Sequence, residues 1–259
     1  MGSSACIRAV MFDLGGTLET VYYDDDLRLK ATPGFRDILV KYDMDPGLEN
    51  TDLYAVLKSG MEKYRVWREA NEYEIPPERI WSEFVFTDCA LPREKLAAIG
   101  EELAFYWDTH FSKRTLVPEV PAMLNALQAQ GIRLGVISNI TSRGMVPYNL
   151  TQDGIASYFD IVLASSVFGW RKPNPRIFYQ AAQLLNVLPA ECAYVGDTVS
   201  RDVIGAHRAG YAMAIQIKSF LTQKVDQVPS PEQPDAIIEN LMQVVDLVRS
   251  YPSLKKSHT

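Results

Sequence analysis

Four short segments of the sequence contain residue types that can bind or transfer a charged group. In the first, the carboxylate of Asp13 precedes Gly15 and Gly16, and glycines let backbone N–H groups approach an anion closely. In the second, Ser138 stands next to Asn139, so a hydroxyl and an amide are available to bind a phosphoryl oxygen. Both segments therefore indicate binding of an anion.

The other two segments offer a cation and a pair of carboxylates. Lys172 lies just ahead of a predicted helix start at residues 171–175, where free N–H groups and the lysine could jointly neutralise a dianion. Asp197 follows Gly196 in a loop, and Asp202 lies in the first turn of the next predicted helix. Two carboxylates at this spacing suit a hard divalent cation. Together the segments predict a site for a metal ion and a phosphoryl group.

Apolar runs indicate the strands that must position these residues. The run at residues 7–12 ends at Asp13 and is typical of a buried strand entering a turn. Comparable runs occupy residues 134–137, 161–164, 193–195, 212–217 and 236–238. Helical patterns alternate with them, so we predict an α/β fold with a Rossmann-like, doubly wound parallel sheet. Such sheets bind ligands beyond the carboxyl ends of their strands, where the four segments fall.

One stretch departs from this alternation. From Glu19 to Ser112 the sequence shows helical periodicity and no convincing strand. We therefore predict a helical cap domain at 19–112, inserted into an α/β core that residues 1–18 and 113–259 form. Because the insertion directly follows the loop that carries Asp13, we expect it to act as a lid over that loop.

Composition limits the classes of partner. The 259 residues include 26 basic and 32 acidic side chains, for a net charge of -6, which disfavours nucleic acid and anionic membranes as partners. Cys6, Cys89 and Cys192 show no zinc-ligand or C-x-x-C spacing. Residues 1–5 lack the features of a signal peptide, and no segment is long enough to span a bilayer. We expect a cytoplasmic protein without membrane partners; the sequence does not distinguish a monomer from a homodimer.

In their order along the chain, the four segments resemble the motifs of the haloacid dehalogenase-like hydrolase superfamily. The matching positions are Asp13 to Thr17, Ser138, Lys172, and Asp197 with Asp202. Residues 169–178 are similar to the family's G-x-x-K-P-x-P-x-x-F stretch. The resemblance covers about 7–18 and 117–248, and the helical insertion looks like the family's first cap type.

The resemblance implies a magnesium-dependent, metal-binding hydrolase, most commonly a phosphatase of small phosphorylated metabolites. A carboxylate at the position of Asp13 attacks the phosphoryl group, and water hydrolyses the resulting aspartyl-phosphate. Lys172 and Ser138 match the residues that bind the transferring phosphoryl oxygens, and Thr17 matches the residue that orients the loop. We add Gly16 and Asn139 as candidate substrate-binding residues.

The resemblance also implies a set of Mg2+ ligands. They match the side chains of Asp13 and Asp197 and the backbone carbonyl of Gly15. Asp202 matches a residue that supports this metal site.

Gly15 is the position at which the sequence departs from the pattern. Most phosphatases of this family have an aspartate there, which serves as general acid for the leaving group and then as general base for water. Since such help is typically worth about 10²–10⁴ in rate, Gly15 predicts a slow phosphatase. Two escapes keep phosphatase chemistry: a cap-joint carboxylate, Glu19 or one of residues 24–26, supplies the proton, or the substrate needs none, as with an acyl phosphate.

Three alternatives to a phosphatase stay open at this stage. A 2-haloacid dehalogenase uses no metal, and the paired Asp197 and Asp202 argue against it. A phosphonoacetaldehyde hydrolase would need a cap lysine for a Schiff base, for which Lys41, Lys58 and Lys63 are available. A degenerate member would bind a phosphorylated ligand without turnover, and Gly15 favours that reading.

Overall fold

The computed structural model describes residues 6–226 and 231–254. Its strands are β1 Ala9–Phe12, β2 Glu19–Tyr22, β3 Lys113–Leu116, β4 Arg133–Ser138, β5 Ile161–Ala164, β6 Cys192–Gly196, β7 Met213–Ile217 and β8 Ala236–Ile238. Six of them form one sheet in the order β5-β4-β1-β6-β7-β8, with every neighbouring pair parallel. The predicted α/β fold with a parallel sheet is confirmed.

Helices connect the strands. They are α1 Asp25–Lys41, α2 Asn50–Asn71, α3 Pro77–Ile80, α4 Arg93–Ala98, α5 Gly100–His110, α6 Val120–Ala129, α7 Met145–Gln152, α8 Ser165–Phe168, α9 Pro175–Leu184, α10 Ile204–Arg208, α11 Phe220–Val225 and α12 Gln243–Leu254. None of the helices in the described ranges is long and apolar enough to cross a membrane. The sequence prediction about residues 1–5 concerns a segment outside the described residues.

The central strands are buried on both faces, which explains their continuous apolar sequences. In β1, Val10 and Phe12 face one hydrophobic cluster, to which α6, α7 and α12 contribute. Ala9 and Met11 face a second cluster, to which α9 and α10 contribute. This alternation along one strand places helices on both sides of the sheet, as a doubly wound fold requires.

Helices α1 to α5 surround a third hydrophobic cluster of their own, which includes Phe35, Leu53, Tyr64, Trp81 and Leu103. This segment follows β2 and precedes β3 in the chain. The division into a core and a cap domain with the boundaries given above stays a prediction.

The expectation of no strand after residue 19 is wrong at its first residues. Strand β2 pairs antiparallel with β3, with Glu19 opposite Leu116. Burial alternates along β2, so Val21 is buried and Tyr22 is exposed. Four alternating residues are too short for a clear sequence signal, and the partner strand is far away along the chain. This two-stranded sheet lies next to the loop after β1, because Gly15 makes a bridge with Glu19.

Candidate active site

The carboxyl ends of three adjacent strands bring most of the predicted residues to one edge of the sheet. Strand β1 lies between β4 and β6. Asp13 follows β1, Ser138 ends β4, and Asp197 follows β6. All three side chains are buried.

Lys172 bonds to three other residues of the site. Its Nζ lies 2.8 Å from Oδ1 of Asp13, 2.7 Å from Oδ1 of Asp202 and 2.8 Å from the hydroxyl of Tyr194. An ammonium has three N–H donors, so each can serve one of these acceptors. Since Lys172 is only 2% exposed, burial shields its two ion pairs from solvent.

Asn139 holds the backbone of Lys172 in place. Its Oδ1 accepts from the Lys172 N–H and its Nδ2 donates to the Lys172 carbonyl, both at 2.9 Å. This reciprocal pair ties the end of β4 to the lysine loop and so sets the position of the ammonium. The predicted contact between Asn139 and a substrate stays a prediction.

Asp13, Asp197 and Asp202 form an acidic cluster. One oxygen from each lies within 4.8 Å of the other two. Oδ2 of Asp202 accepts from the N–H of Thr198 at 2.9 Å and from its hydroxyl at 2.7 Å. Oδ2 of Asp197 accepts from the Ser219 hydroxyl, whereas its buried Oδ1 has no hydrogen-bond partner among the described residues. A buried carboxylate oxygen without a donor, beside two further carboxylates, fits a hard divalent cation.

Burial and mutual repulsion shape the charges of this cluster. Burial raises the pKa of Asp13, and the ammonium of Lys172 offsets part of that rise. Burial and then repulsion from Asp202 and Asp13 raise the pKa of Asp197 to about 8. Burial also pushes up the pKa of Asp202, but Lys172, Arg201 and the Thr198 hydrogen bond more than compensate, so this pKa is lowered. The repulsion at Asp197 is the kind that a bound cation relieves.

The loop after β1 packs directly on the acidic cluster. Gly16 has φ of 95°, and a Cβ there would fall 2.3 Å from Oδ2 of Asp197, so only glycine fits. Its N–H donates to the Glu19 carbonyl at 2.7 Å, so this N–H is already used; substrate binding by Gly16 stays a prediction. The buried Thr17 hydroxyl has no partner among the described residues.

A guanidinium occupies the space beside Gly15. A Cβ on Gly15 would fall 2.8 Å from Nη1 of Arg114 and 3.1 Å from Cγ2 of Val21. Arg114 pairs with the buried carboxylate of Glu19 at 3.0 Å, and the side-chain amide of Asn149 donates to the same carboxylate at 2.9 Å. The side chain nearest to position 15 is therefore a cation.

Three of the four cap-joint carboxylates, Glu19, Asp24 and Asp25, have other partners in the structure. Asp24 accepts from the Leu27 N–H at the start of α1. Asp25 accepts from Lys58 and from the Tyr54 hydroxyl at 2.7 Å. The hypothesis that one of residues 19 or 24–26 replaces the general acid stays a prediction.

A cleft of about 1230 Å³ opens beside Lys172. Its lining includes residues of α1, α2 and α5 together with Lys172, Arg201 and residues of α11. Lys172 therefore contacts both the acidic cluster and the space in which a ligand would bind.

Several polar residues of the site were not singled out from the sequence. Tyr194 had a usable signal, since it is the one large polar side chain in the otherwise small or apolar β6 segment CAYVG. Ser219 and Arg114 had none, because each reaches the site from a distant part of the chain.

Comparisons with known proteins identify the family of this chain. The family described as haloacid dehalogenase-like hydrolase matches residues 7–210. The glyceraldehyde 3-phosphate phosphatase of Methanopyrus kandleri is 28% identical over 246 residues, covering 94% of this chain and 97% of that protein. Its namesake from Methanothermobacter thermautotrophicus is 30% identical over 238 residues, covering 89% of this chain and 100% of that protein.

Among solved structures, the 2-haloacid dehalogenase of Pseudomonas syringae pv. Tomato DC3000 superimposes with a TM-score of 0.64 at 23% identity, covering 95% of this chain and 99% of that one. A HAD phosphatase from Thermococcus onnurineus gives a TM-score of 0.60 at 21% identity, covering 93% and 98%. At these identities the likeness shows the fold. With a family match over most of its length, the chain belongs to the haloacid dehalogenase-like hydrolases.

Proposed function

We propose that this chain is a magnesium-dependent phosphatase that hydrolyses a small phosphorylated metabolite through an aspartyl-phosphate on Asp13. The observation that carries this proposal is the buried ammonium of Lys172, which bonds to both Asp13 and Asp202 at the edge of a cleft. An anionic nucleophile and an anionic substrate repel each other, and a fixed cation between them offsets that repulsion.

The relatives support a phosphate ester as substrate. Two proteins that match this chain nearly end to end are each named glyceraldehyde 3-phosphate phosphatase. Glyceraldehyde 3-phosphate is therefore the first metabolite to test on this chain.

In the proposed reaction, a carboxylate oxygen of Asp13 attacks phosphorus and the bond to the leaving oxygen breaks. The positive charge of Lys172 and the hydroxyl of Ser138 stabilise the phosphoryl oxygens while negative charge develops on them, and the Thr17 hydroxyl orients the loop. Water then attacks phosphorus of the aspartyl-phosphate, which releases inorganic phosphate and restores Asp13.

The acidic cluster would hold the magnesium ion. Asp13 and Asp197 would be its side-chain ligands, the Gly15 carbonyl a backbone ligand, and Asp202 a supporting carboxylate. A bound Mg2+ supplies positive charge that stabilises the phosphoryl oxygens in the transition state.

Position 15 limits the first step. Without a carboxylic acid there, an alkyl leaving group departs unprotonated, whereas an aryl leaving group is stable enough as an anion to leave unaided. We therefore expect faster turnover of aryl than of alkyl phosphates.

The proposal is tested with p-nitrophenyl phosphate, an activated aryl phosphate. The wild-type protein should release phosphate with Mg2+ and stop when EDTA is added, and Asp13→Asn should lose the activity. Asp45→Asn, at an exposed position of the helical segment, is the matched control and should keep it. Equal rates in EDTA and Mg2+ would contradict the metal assignment.

The same preparation separates the alternatives. Chloride release from a 2-haloacid without metal would establish a dehalogenase. Two of the three lysines considered for a Schiff base are engaged elsewhere, since Lys41 pairs with Glu102 at 2.9 Å and Lys58 with Asp25 at 2.7 Å; Lys63 is exposed. Phosphate binding with no turnover of any ester would favour the binding module.

A further inference from the structure

The cleft beside Lys172 is strongly basic although the chain as a whole is acidic. Seven of its lining residues are Lys or Arg and two are Glu, whereas the whole chain carries a net charge of -6. A concave surface of one sign concentrates ligands of the opposite sign.

Most of these cations are already neutralised. Within the cleft, Arg65 pairs with Glu62 and Glu69. Carboxylates next to the cleft neutralise two more cations, because Lys58 pairs with Asp25 and Arg68 with Glu74. Lys172 and Arg201 face the catalytic carboxylates.

Arg28 and Lys224 differ from the other cations. Neither forms an ion pair within the part of the chain that the structure describes. Arg28 comes from α1 and Lys224 from α11, and both line the cleft. The nearest carboxylate to Lys224 along the chain is Asp226, which accepts instead from the N–H groups of Val199 and Ser200.

The Tyr23 ring contacts both of these cations. The guanidinium of Arg28 lies 4.1 Å from the centroid of the Tyr23 ring, and Nζ of Lys224 lies 4.4 Å from the same centroid. Nζ of Lys224 is also 4.6 Å from the centroid of Phe220. Cation–π contacts fix a cation without cancelling its charge. Nε of Arg28 also donates to the Phe111 carbonyl at 3.2 Å, which is a neutral acceptor. Both positive charges therefore lack a carboxylate partner among the described residues and remain available to an anion in the cleft.

We propose that Arg28 and Lys224 form a second anion-binding site, and that the substrate carries a second anionic group, a carboxylate or a further phosphate, beyond the phosphoryl group that is cleaved. This inference rests on the proposed function, because the scissile phosphoryl group at Asp13 defines which end of the substrate remains for the second site. It predicts that a doubly anionic ester is a better substrate than glyceraldehyde 3-phosphate, which has no second anionic group.

Three-carbon phosphate esters test the proposal, because they differ mainly in the remote group. Glycerol 3-phosphate has a neutral remote group, 3-phosphoglycerate a carboxylate, and glycerol 1,3-bisphosphate a second phosphate. We expect kcat/KM to be higher for at least one doubly anionic ester than for glycerol 3-phosphate, chiefly through a lower KM. The ester that gains more identifies whether the second site takes a carboxylate or a phosphate.

Variants then assign the preference to these residues. In the double variant Arg28→Gln with Lys224→Gln, the ratio of kcat/KM between the preferred ester and glycerol 3-phosphate should fall roughly tenfold or more, as expected for lost charge-assisted hydrogen bonds. Arg28→Lys with native Lys224 keeps both charges and should retain most of the ratio. Lys30→Gln removes an exposed lysine of α1 outside the cleft lining and should leave the ratio unchanged. An unchanged ratio in the double variant would overturn the proposal.

Binding measurements separate this proposal from the proposed function. Calorimetry on Asp13→Asn with Mg2+ compares 3-phosphoglycerate, glycerol 1,3-bisphosphate and glycerol 3-phosphate without turnover. Tighter binding of a doubly anionic ester, lost when both cations are removed, supports the second site even if the wild-type protein hydrolyses no ester. Turnover of p-nitrophenyl phosphate with no preference among the three esters would sustain the phosphatase and refute the second site.

Discussion

A guanidinium nitrogen of Arg114 lies 2.8 Å from the position that a Cβ on Gly15 would take. Arg114 belongs to β3 and pairs with the buried Glu19 of β2. The pairing of β2 with β3 therefore places this cation beside the loop after Asp13. Where most phosphatases of the family have an acid, this chain has a glycine with an arginine beside it.

We predict that Gly15→Asp raises kcat/KM for alkyl phosphates relative to an aryl phosphate. The new carboxyl group would protonate the leaving oxygen, which an aryl phosphate does not need. The gain should be about tenfold to a hundredfold, at or below the usual 10²–10⁴ for acid–base help, because the Arg114 charge favours the ionised carboxylate. Steady-state rates on ethyl phosphate and p-nitrophenyl phosphate measure the ratio.

Gly15→Ala is the matched control for this change. It adds the same Cβ against Arg114 and Val21 but no carboxyl group, so the ratio should stay at the wild-type value. A rise of equal size in both variants would show that the loop conformation, and not proton transfer, limits turnover.

Removing the Tyr194 hydroxyl should affect stability and turnover together. This hydroxyl accepts from Lys172 at 2.8 Å and donates to the Ile137 carbonyl at 3.2 Å. Tyr194→Phe should lower the free energy of unfolding by about 1–2 kcal/mol. It should also lower kcat roughly fivefold, because a less firmly held Lys172 costs about one hydrogen bond of transition-state stabilisation.

Tyr211→Phe separates these two effects. Tyr211 is also buried in the core, and its hydroxyl donates to the Phe178 carbonyl at 2.8 Å, away from the acidic cluster. It should cost similar stability in urea unfolding with no change in kcat. Equal losses of kcat in the two variants would mean that general loosening, not the contact with Lys172, lowers the rate.

Magnesium binding should be visible without any substrate. Because Mg2+ would relieve repulsion in the acidic cluster of the folded protein only, saturating Mg2+ should raise the thermal unfolding midpoint by about 5 °C or more. Asp197→Asn removes the carboxylate whose Oδ1 has no partner among the described residues and should abolish most of this rise. Asp45→Asn should keep it; a full rise in Asp197→Asn would place the ion elsewhere.

Asp108 should make stability fall as pH rises. Burial raises the pKa of Asp108 from 3.8 to about 7, even though its Oδ2 accepts from the N–H groups of Thr141 and Ser142. A pKa that is higher in the folded than in the unfolded chain favours folding of the protonated form. The contribution is complete below about pH 4 and is lost as pH rises through about 7, with a size on the order of a few kcal/mol.

Urea unfolding from pH 4 to 8 tests this dependence. Asp108→Asn keeps an acceptor for the two N–H groups and carries no charge, so it should be more stable than the wild type at pH 8 and similar at pH 4. Asp160→Asn is the control, since Asp160 also accepts a backbone N–H but is exposed. The same pH profile in wild type and Asp108→Asn would show that another group controls this window.

Local sequence signals predicted the parallel sheet, because each strand is a short apolar run that ends at turn residues. The same runs predicted that Asp13, Ser138 and Asp197 lie at the carboxyl edge of the sheet, since the carboxyl ends of parallel strands meet there. The order of the strands along that edge came from the structure. Lys172 could be placed only loosely from its sequence context. Its ammonium bonds to Asp13, Asp202 and Tyr194, and Asn139 holds its backbone. Tertiary packing brings these residues to Lys172.

What the sequence did not indicate depends on long-range contacts. Strands β2 and β3 form an antiparallel pair at the two ends of the helical segment. Each has four residues, and neither has a periodic pattern long enough to detect. Arg114 lies beside Gly15 because β3 pairs with β2. Likewise, the unpaired state of Arg28 and Lys224 becomes visible only when the partners of the other cleft cations are known.

The most direct test of the account is chemical trapping of the nucleophile. The protein is mixed with p-nitrophenyl phosphate and Mg2+, quenched in acid during turnover and treated with borohydride, which reduces an acyl phosphate to an alcohol. Peptide mass spectrometry should then find homoserine in place of Asp13, with Asp197 and Asp202 unmodified. Turnover accompanied by reduction at another carboxylate, or at none, would contradict the claim that Asp13 carries the phosphoryl group.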